Sequence, residues 1–130
     1  MKCVIVLKEL PSAGLLCNAA ACIASGLFAE EDALGGVIEG KDCTFIPITR
    51  IPILITRQGK NSFAQLLQRA EKNKLKHMLF THEAQSTTSY EEYQKRVEGK
   101  TLSEIEPIGI GVIGPDDAVK KFAGDLALFR

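Results

Sequence analysis

The sequence contains no tryptophan, and aromatic residues make up only 6% of its 130 residues. A hydrophobic core must therefore consist mainly of aliphatic side chains, which are abundant in the hydrophobic fraction of 45%. The sequence also has no net charge, because sixteen Lys and Arg balance sixteen Asp and Glu. Proteins that bind phosphate backbones need a positive surface, so this composition argues against nucleic acid as a partner.

Local motifs of common catalytic sites are also missing. The chain has no G-x-S-x-G and no phosphate-binding P-loop. The G-x-G spacing at Gly109 and Gly111, with Gly114 three residues later, lies within and at the exit of an apolar strand rather than after one, so these glycines indicate close packing or a turn. Its four cysteines include no C-x-x-C pair. On a helix, Cys17 and Cys22 would point about 140° apart, which prevents them from sharing a metal ion. We therefore predict no metal and no cofactor, and we expect the thiols to stay reduced, as in cytoplasmic proteins.

Residues 10–29 carry no charge and match the length of a membrane span. Most of them are small or weakly apolar, whereas membrane-spanning helices are rich in Leu, Ile, Val and Phe. Lys8 and Glu9 also interrupt the apolar stretch that a secretory signal needs. We therefore expect a soluble cytoplasmic protein without membrane contact, and the length of the chain fits a single domain over residues 1–130.

Continuous apolar runs predict four buried strands, at residues 2–8, 51–56, 77–81 and 108–113. Helix signals lie between and after them: an apolar stripe that follows Ser12, a cap at Asn61 or Ser62, and a start after Gly114-Pro115 with a stop at Gly124. Capping-box spacing at Ser89 predicts a further surface helix that includes Tyr93, Val97 and Leu102. This alternation predicts an α/β fold with a parallel sheet and helices on both of its faces.

Residues 31–50 do not follow this alternation. Gly35-Gly36 opens the irregular part, and Gly40-Lys41-Asp42 predicts a turn between short extended pieces at residues 37–38 and 44–46. This pattern is typical of a hairpin or of a lid, and the sequence leaves both alternatives open.

Polar side chains follow three of the predicted strands, at the edge of the sheet where ligands bind in open α/β folds. Lys8 and Arg57 are predicted to hold a small anionic ligand. His82 and Glu83 are predicted to move a proton near neutral pH, and Thr87 to hydrogen-bond a carbonyl or phosphate. Asn18, in the first helix, faces either this edge or solvent.

The alternative interpretation of these residues is structural. Polar side chains occur at any solvated sheet edge, and His82 then is an exposed loop histidine. A hydroxyl of the Thr87-Thr88-Ser89 run can cap a helix instead of binding a ligand, and Tyr90 and Tyr93 then serve packing.

The end of the chain, from Ile108 through Gly114-Pro115 to Phe122, contains a buried strand, a stop and a helix start. Together with Pro52 and Leu54 and with Thr81-His82-Glu83-Ala84, it resembles an uncharacterised bacterial family, catalogued as a domain of unknown function (number two thousand). That family shares the fold of type II peptidyl-tRNA hydrolases. The resemblance implies a three-layer α/β/α sandwich whose four-stranded mixed sheet has the order 2-1-4-3, with the last strand antiparallel.

The active site of those hydrolases is not reproduced in this sequence. Their lysine, glutamine and histidine in the first helix correspond to the stretch from Leu16 to Ala24, which contains none of the three. Their Asp-Ala-Gly-Arg-Thr loop resembles Glu83-Ala84-Gln85-Ser86-Thr87, which lacks the arginine. Peptidyl-tRNA hydrolysis is therefore the least supported function. A small-molecule enzyme or binding protein is favoured if the edge forms a deep pocket, and a non-catalytic homodimeric interaction module if the chain presents a flat apolar patch.

Overall fold

The computed structural model describes all 130 residues. Its strands and helices follow along the chain as β1 (Lys2–Leu7), α1 (Ala13–Leu27), β2 (Ile38–Glu39), β3 (Thr44–Phe45), β4 (Ile53–Arg57), α2 (Phe63–Lys72), β5 (Lys76–Thr81), α3 (His82–Gln85), α4 (Tyr90–Val97), a 3-10 turn (Leu102–Glu104), β6 (Pro107–Gly114) and α5 (Asp116–Ala123).

The four long strands form one mixed sheet in the order β4-β1-β6-β5. β1 and β4 are parallel, whereas β6 is antiparallel to both of its neighbours, β1 and β5. Counted along the chain, these strands have the order 2-1-4-3 with the last one antiparallel. The predicted sheet topology is therefore confirmed.

Helices cover both faces of this sheet. Successive side chains of a strand point to opposite sides, and the apolar run of β1 therefore presents apolar side chains to both layers of helices. On one face, alternate residues of β1 pack with α1 in a cluster that includes Ile5, Ile23 and Leu27. On the other face, Val4 and Val6 pack with α2 and α5, and Phe122 is fully buried there. The three-layer α/β/α arrangement is confirmed as well.

Glycines in β6 determine how closely α1 approaches the sheet. A Cβ atom at Gly109 would lie 2.8 Å from Cδ1 of Ile23, and one at Gly111 would lie 2.7 Å from Cδ1 of Leu27. No real Cβ fits at such distances, so α1 rests directly on the backbone of β6. Gly109 and Gly111 are therefore positions of close packing between the helix and the sheet.

Two predicted boundaries differ from the structure by two residues or more. β4 begins at Ile53 rather than at residue 51, because Pro52 has no N–H for a strand ladder, although its carbonyl accepts from the Cys3 N–H at 2.9 Å. The predicted surface helix ends at Val97, before Leu102, because Gly99 adopts a φ of 73° that stops it. Leu102 lies in the separate 3-10 turn.

The sequence left a hairpin or a lid open for residues 31–50, and the structure contains a hairpin there. β2 and β3 pair antiparallel through Ile38 with Phe45 and Glu39 with Thr44. At its base, the Gly35 N–H donates to the Ile48 carbonyl at 2.8 Å, and the Arg50 N–H donates to the Ala33 carbonyl at 2.7 Å.

The uncharged stretch at residues 10–29 lies mainly in α1, which has 15 residues. No helix of the protein has both the length and the apolar character that crossing a membrane requires. The prediction that this stretch does not span a membrane agrees with this finding.

A tail at the end of the chain, residues 125–129, extends the sheet in a way that the sequence did not predict. The Arg57 N–H donates to the Ala127 carbonyl and the Phe129 N–H donates to the Ile55 carbonyl, each at 2.9 Å. The tail therefore lies along the outer edge of β4. Arg69 in α2 holds its start through two hydrogen bonds to the Asp125 carboxylate, at 2.7 and 3.1 Å.

Cys3 is the one cysteine inside the core, and burial raises the pKa of its thiol to about 11. We expect a thiol reagent at about pH 8 to modify the exposed Cys17 and Cys43 in the folded protein and Cys3 only after denaturation. The folded state keeps this proton to a higher pH than the unfolded chain does, so stability should fall as the pH rises from about 9 towards 11. Peptide mapping by mass spectrometry measures the labelling, and Cys3→Ala should reduce the alkaline loss of stability. Equal labelling of Cys3 and Cys43 in the folded protein would contradict this prediction.

Candidate functional site

The carboxyl ends of the three parallel strands meet at one edge of the sheet, together with the start of β6. Leu7 pairs with Arg57 on one side and with Gly109 on the other, and Thr81 pairs with Pro107. The residues that follow these strands are therefore brought to one edge.

Lys8, His82 and Glu83 gather around Glu106 at this edge. The Lys8 ammonium lies 3.9 Å from the Glu106 carboxylate, and both side chains are partly exposed, so the ion pair is weak. Oε1 of Glu83 accepts from the Glu106 N–H at 2.9 Å, and the Glu106 carbonyl accepts from the His82 N–H at 2.8 Å. His82 thus joins this cluster through its backbone, and its side chain is exposed. The Glu83 carboxylate is occupied by a backbone contact.

Arg57 lies apart from that cluster, in a cavity of about 410 Å3. The lining also includes Glu9, Lys60 and Asp125, so both signs of charge are present. The hydrogen bonds from Arg69 lower the pKa of the Asp125 carboxyl below its usual value, which keeps it negative at neutral pH. This cavity is therefore not selective for anions.

Asn18 and Thr87 lie in a larger cavity of about 570 Å3 between α1 and α4. We refer to it as the α1–α4 groove. Its lining consists of thirteen residues, namely Asn18, Cys22, Ser25, Gly26, Met78, Phe80, Ala84, Gln85, Thr87, Thr88, Ser89, Tyr90 and Tyr93. No carboxylate, imidazole, ammonium or guanidinium group is among them. Neither Lys8 nor Arg57 nor the His82-Glu83 pair lines this groove, and their roles stay predictions.

Hydrogen bonds between the helices fix the walls of the groove. Nε2 of Gln85 in α3 donates to the Leu15 carbonyl at 2.8 Å and to Oδ1 of Asn18 at 3.2 Å, which ties α3 to α1. Arg96 in α4 donates to the Glu83 carbonyl at 3.2 Å and to the Ser86 hydroxyl at 2.8 Å. Both α1 and α4 are therefore fastened to the short α3 segment between them.

Capping side chains shape the loop that closes the groove. The Thr87 hydroxyl accepts from the Ser89 N–H at 3.1 Å, and the Ser89 hydroxyl accepts from the Glu92 N–H at 3.2 Å and so begins α4. The capping function predicted for this run is therefore confirmed. The Thr87 hydroxyl retains its proton for donation to a ligand, since it serves as an acceptor here.

The chemistry of the groove is that of hydrogen bonding and apolar contact. Tyr90 and Tyr93 pack edge to face, with ring centroids 5.6 Å apart and an interplanar angle of 84°. Burial, and then the neighbouring Tyr90, raise the pKa of the Tyr93 phenol, which therefore stays neutral and can donate. Hydroxyls, amides, a thiol and a thioether surround these rings. No group of three or more His, Cys, Asp or Glu side chains in the chain could hold a metal ion.

The sequence contained a signal for the groove that the edge argument did not use. Asn18, Cys22 and Ser25 have the i, i+4, i+7 spacing of one helix face, directly beside the apolar face of α1 that packs on the sheet. In the structure this row of small residues lines the groove, with Asn18 and Ser25 exposed and Cys22 half-buried. Tyr90 and Tyr93 both contact each other and line the groove, so packing and lining are not exclusive roles.

Comparisons with known proteins agree with the fold and name no reaction. A family model described as "Protein of unknown function (DUF2000)" matches residues 1–130. The chain is similar to a solved structure of a protein of unknown function from Agrobacterium tumefaciens strain C58, with a TM-score of 0.87 and 16% sequence identity over 99% of this chain and 97% of that one. This likeness shows a shared fold alone. No curated protein matches the chain. The likeness to type II peptidyl-tRNA hydrolases stays a prediction.

Proposed function

The chain belongs to this DUF2000 family of unknown function, and we propose that it binds a small uncharged molecule in the α1–α4 groove. The observation that carries this proposal is a lining of thirteen residues without a single charged side chain. A charged ligand would lose its hydration there without gaining an opposite charge. The volume of about 570 Å3 lies within the range of small-molecule sites.

The lining also indicates what the ligand should look like. Phe80, Met78 and the two tyrosines offer apolar surface, so one part of the ligand should be apolar or aromatic. Asn18, Gln85 and Thr87 offer amide and hydroxyl groups, so another part of the ligand should carry a carbonyl, amide or hydroxyl. The groove favours binding over acid–base catalysis, because its lining has no group that transfers protons readily near neutral pH.

The other predicted partners and residues remain proposals with less support. An anionic ligand at Lys8 and Arg57 would have to compete with Glu106 at the first and with Glu9 and Asp125 at the second. Proton transfer by His82 and Glu83 would require the Glu83 carboxylate to release its backbone contact. The balanced charge supports the absence of nucleic acid among the partners. Four free cysteines support a cytoplasmic location, and the family model over residues 1–130 supports one domain.

A groove-filling substitution tests the proposal. Ser25→Trp places an indole in the groove from an exposed helix position, so we expect at least tenfold weaker binding of groove ligands, or about 1.4 kcal/mol. Ligand-observed NMR with a fragment library of neutral and anionic compounds identifies the binders, and titration measures their affinities. Ala21→Trp is the matched control, because Ala21 is exposed on the same helix and does not line the groove.

The fragment screen also separates the groove from the charged positions at the sheet edge. We expect the binders to be neutral, their affinity to fall in Ser25→Trp and to persist in both Ala21→Trp and Arg57→Ala. Anionic binders whose affinity is lost in Arg57→Ala and kept in Ser25→Trp would contradict the proposal.

A further inference from the structure

Six large apolar side chains of the β2–β3 hairpin are more than half exposed to solvent. We refer to residues 34–48 as the apolar arm. The exposed fractions are 61% for Leu34, 57% for Val37, 65% for Ile38, 53% for Phe45, 80% for Ile46 and 78% for Ile48. Single exposed apolar residues are ordinary on protein surfaces, but six within fifteen residues of one hairpin are a concentration that marks an interaction site.

The apolar arm is also poorly supported by the rest of its own chain. All four residues of β2 and β3 are exposed, so neither face of this two-stranded ribbon rests on the domain. An isolated two-stranded hairpin is marginally stable in water. The arm therefore has both the surface and the need for a covering partner.

The amount of exposed surface matches what a stable dimer buries. The six side chains expose roughly 700 Å2 of apolar surface, from their exposed fractions and typical side-chain areas. A standard interface buries about 800 Å2 per partner.

We propose that the apolar arm docks against the apolar arm of a second copy of this chain, to form a homodimer with two-fold symmetry. In such a dimer the same patch supplies both sides, so one chain provides the whole interface. The charged residues of the arm are Glu39, Lys41 and Asp42, all near its tip turn. Because both signs occur there, two tips can pair without strong repulsion, while the apolar body of the arm is buried.

This interface leaves the α1–α4 groove free. The arm rejoins the sheet at the amino end of β4, where the Pro52 carbonyl accepts from the Cys3 N–H. The carboxyl ends of the parallel strands lie at the other end of the sheet. None of the thirteen groove residues belongs to the arm. The proposal of a dimer is therefore independent of the proposed ligand binding, and either can fail alone.

Sedimentation velocity on the full chain tests the dimer. We expect the sedimentation of the wild type to give a mass of twice the 14.2 kDa of one chain. The dissociation constant of the dimer should be below about 10 µM. Ile46→Asp with Ile48→Asp should weaken dimerisation at least about 100-fold and leave the fold intact, because both side chains are mostly exposed in the single chain. The matched control is Leu15→Asp, which places the same charge at an apolar residue of α1 that is 44% exposed and lies outside both the arm and the groove lining, and it should stay dimeric.

Hydrogen exchange provides a second measurement that does not depend on the variants. In the wild type, amides of β2 and β3 should become more protected as the protein concentration rises, while those of the central strands stay unchanged. A wild-type chain that is monomeric at about 100 µM would overturn the proposal. So would a dimer that the arm substitutions leave intact, or arm protection that is independent of concentration; either result would assign the arm to another partner or to none.

Discussion

Gly111→Ala should lower the free energy of unfolding by about 2–3 kcal/mol, although it adds a single methyl group. The new Cβ would collide with Ile23 and would lie 2.7 Å from Cδ1 of Leu27. Both of these side chains are fully buried, with 0% and 1% exposure, and protein cores are close-packed, so moving them aside costs free energy. The change would therefore push α1 away from β6 and loosen the layer that forms one wall of the groove.

Chemical denaturation at one fixed protein concentration measures this loss. Gly14→Ala is the matched control, because a Cβ at Gly14 would meet only Oγ of Ser12 at 3.8 Å, an ordinary contact, and its φ is not positive. The control should be at least as stable as the wild type, since Gly14 lies in α1 and alanine favours a helix over glycine. A stability of Gly111→Ala equal to that of the control would show that α1 can shift at no cost, and the close approach would then not be essential.

Phe122→Ala should lower the free energy of unfolding by about 3–5 kcal/mol, the largest effect that we expect for one substitution. Phe122 is the largest fully buried side chain of the protein, and it fixes α5 onto the face of the sheet that α2 also covers. Removal of the ring leaves a cavity between two helices and the sheet, and neighbouring side chains can fill it only partly.

Thermal and chemical denaturation both report this effect, again at one protein concentration. Lys121→Ala serves as the control, because Lys121 precedes Phe122 in the same helix and its side chain is exposed. The control should change stability by no more than about 0.5 kcal/mol. If Phe122→Ala also lost less than about 1 kcal/mol, α5 would be a peripheral helix rather than part of the core.

The sheet and its helices could be predicted because each buried strand is a continuous apolar run. β1 is apolar on both sides because one alternate set of its residues packs with α1 and the other with α2 and α5. The position of the antiparallel strand came from the resemblance alone, since alternation along a strand is the same in both directions. The apolar arm could not be assigned, because an extended apolar piece such as Val37-Ile38 looks the same whether a partner chain or its own domain covers it.

The candidate site was predicted in part. Chain order correctly placed Lys8, Arg57 and Glu83 at one edge, but it could not say on which face of the sheet each side chain lies. Leu7 and Arg57 are paired in register, so their side chains lie on the same face of the sheet. Lys8 follows Leu7 by one residue, and its ammonium lies near the Glu106 carboxylate instead. Asn18 and Thr87 share the groove because Gln85 ties α3 to α1, a contact across 67 residues that no local pattern reveals.

The tail beside β4 has a consequence for aggregation. An open edge strand offers unpaired N–H and C=O groups to any extended chain and is a common starting point for β-aggregates. Here the N–H of Arg57 and the carbonyl of Ile55 are already bonded to the tail, and Arg69 fastens the tail through Asp125. Residues 125–129 therefore cover the open edge of β4. Without them, this strand would expose a template for intermolecular β-pairing.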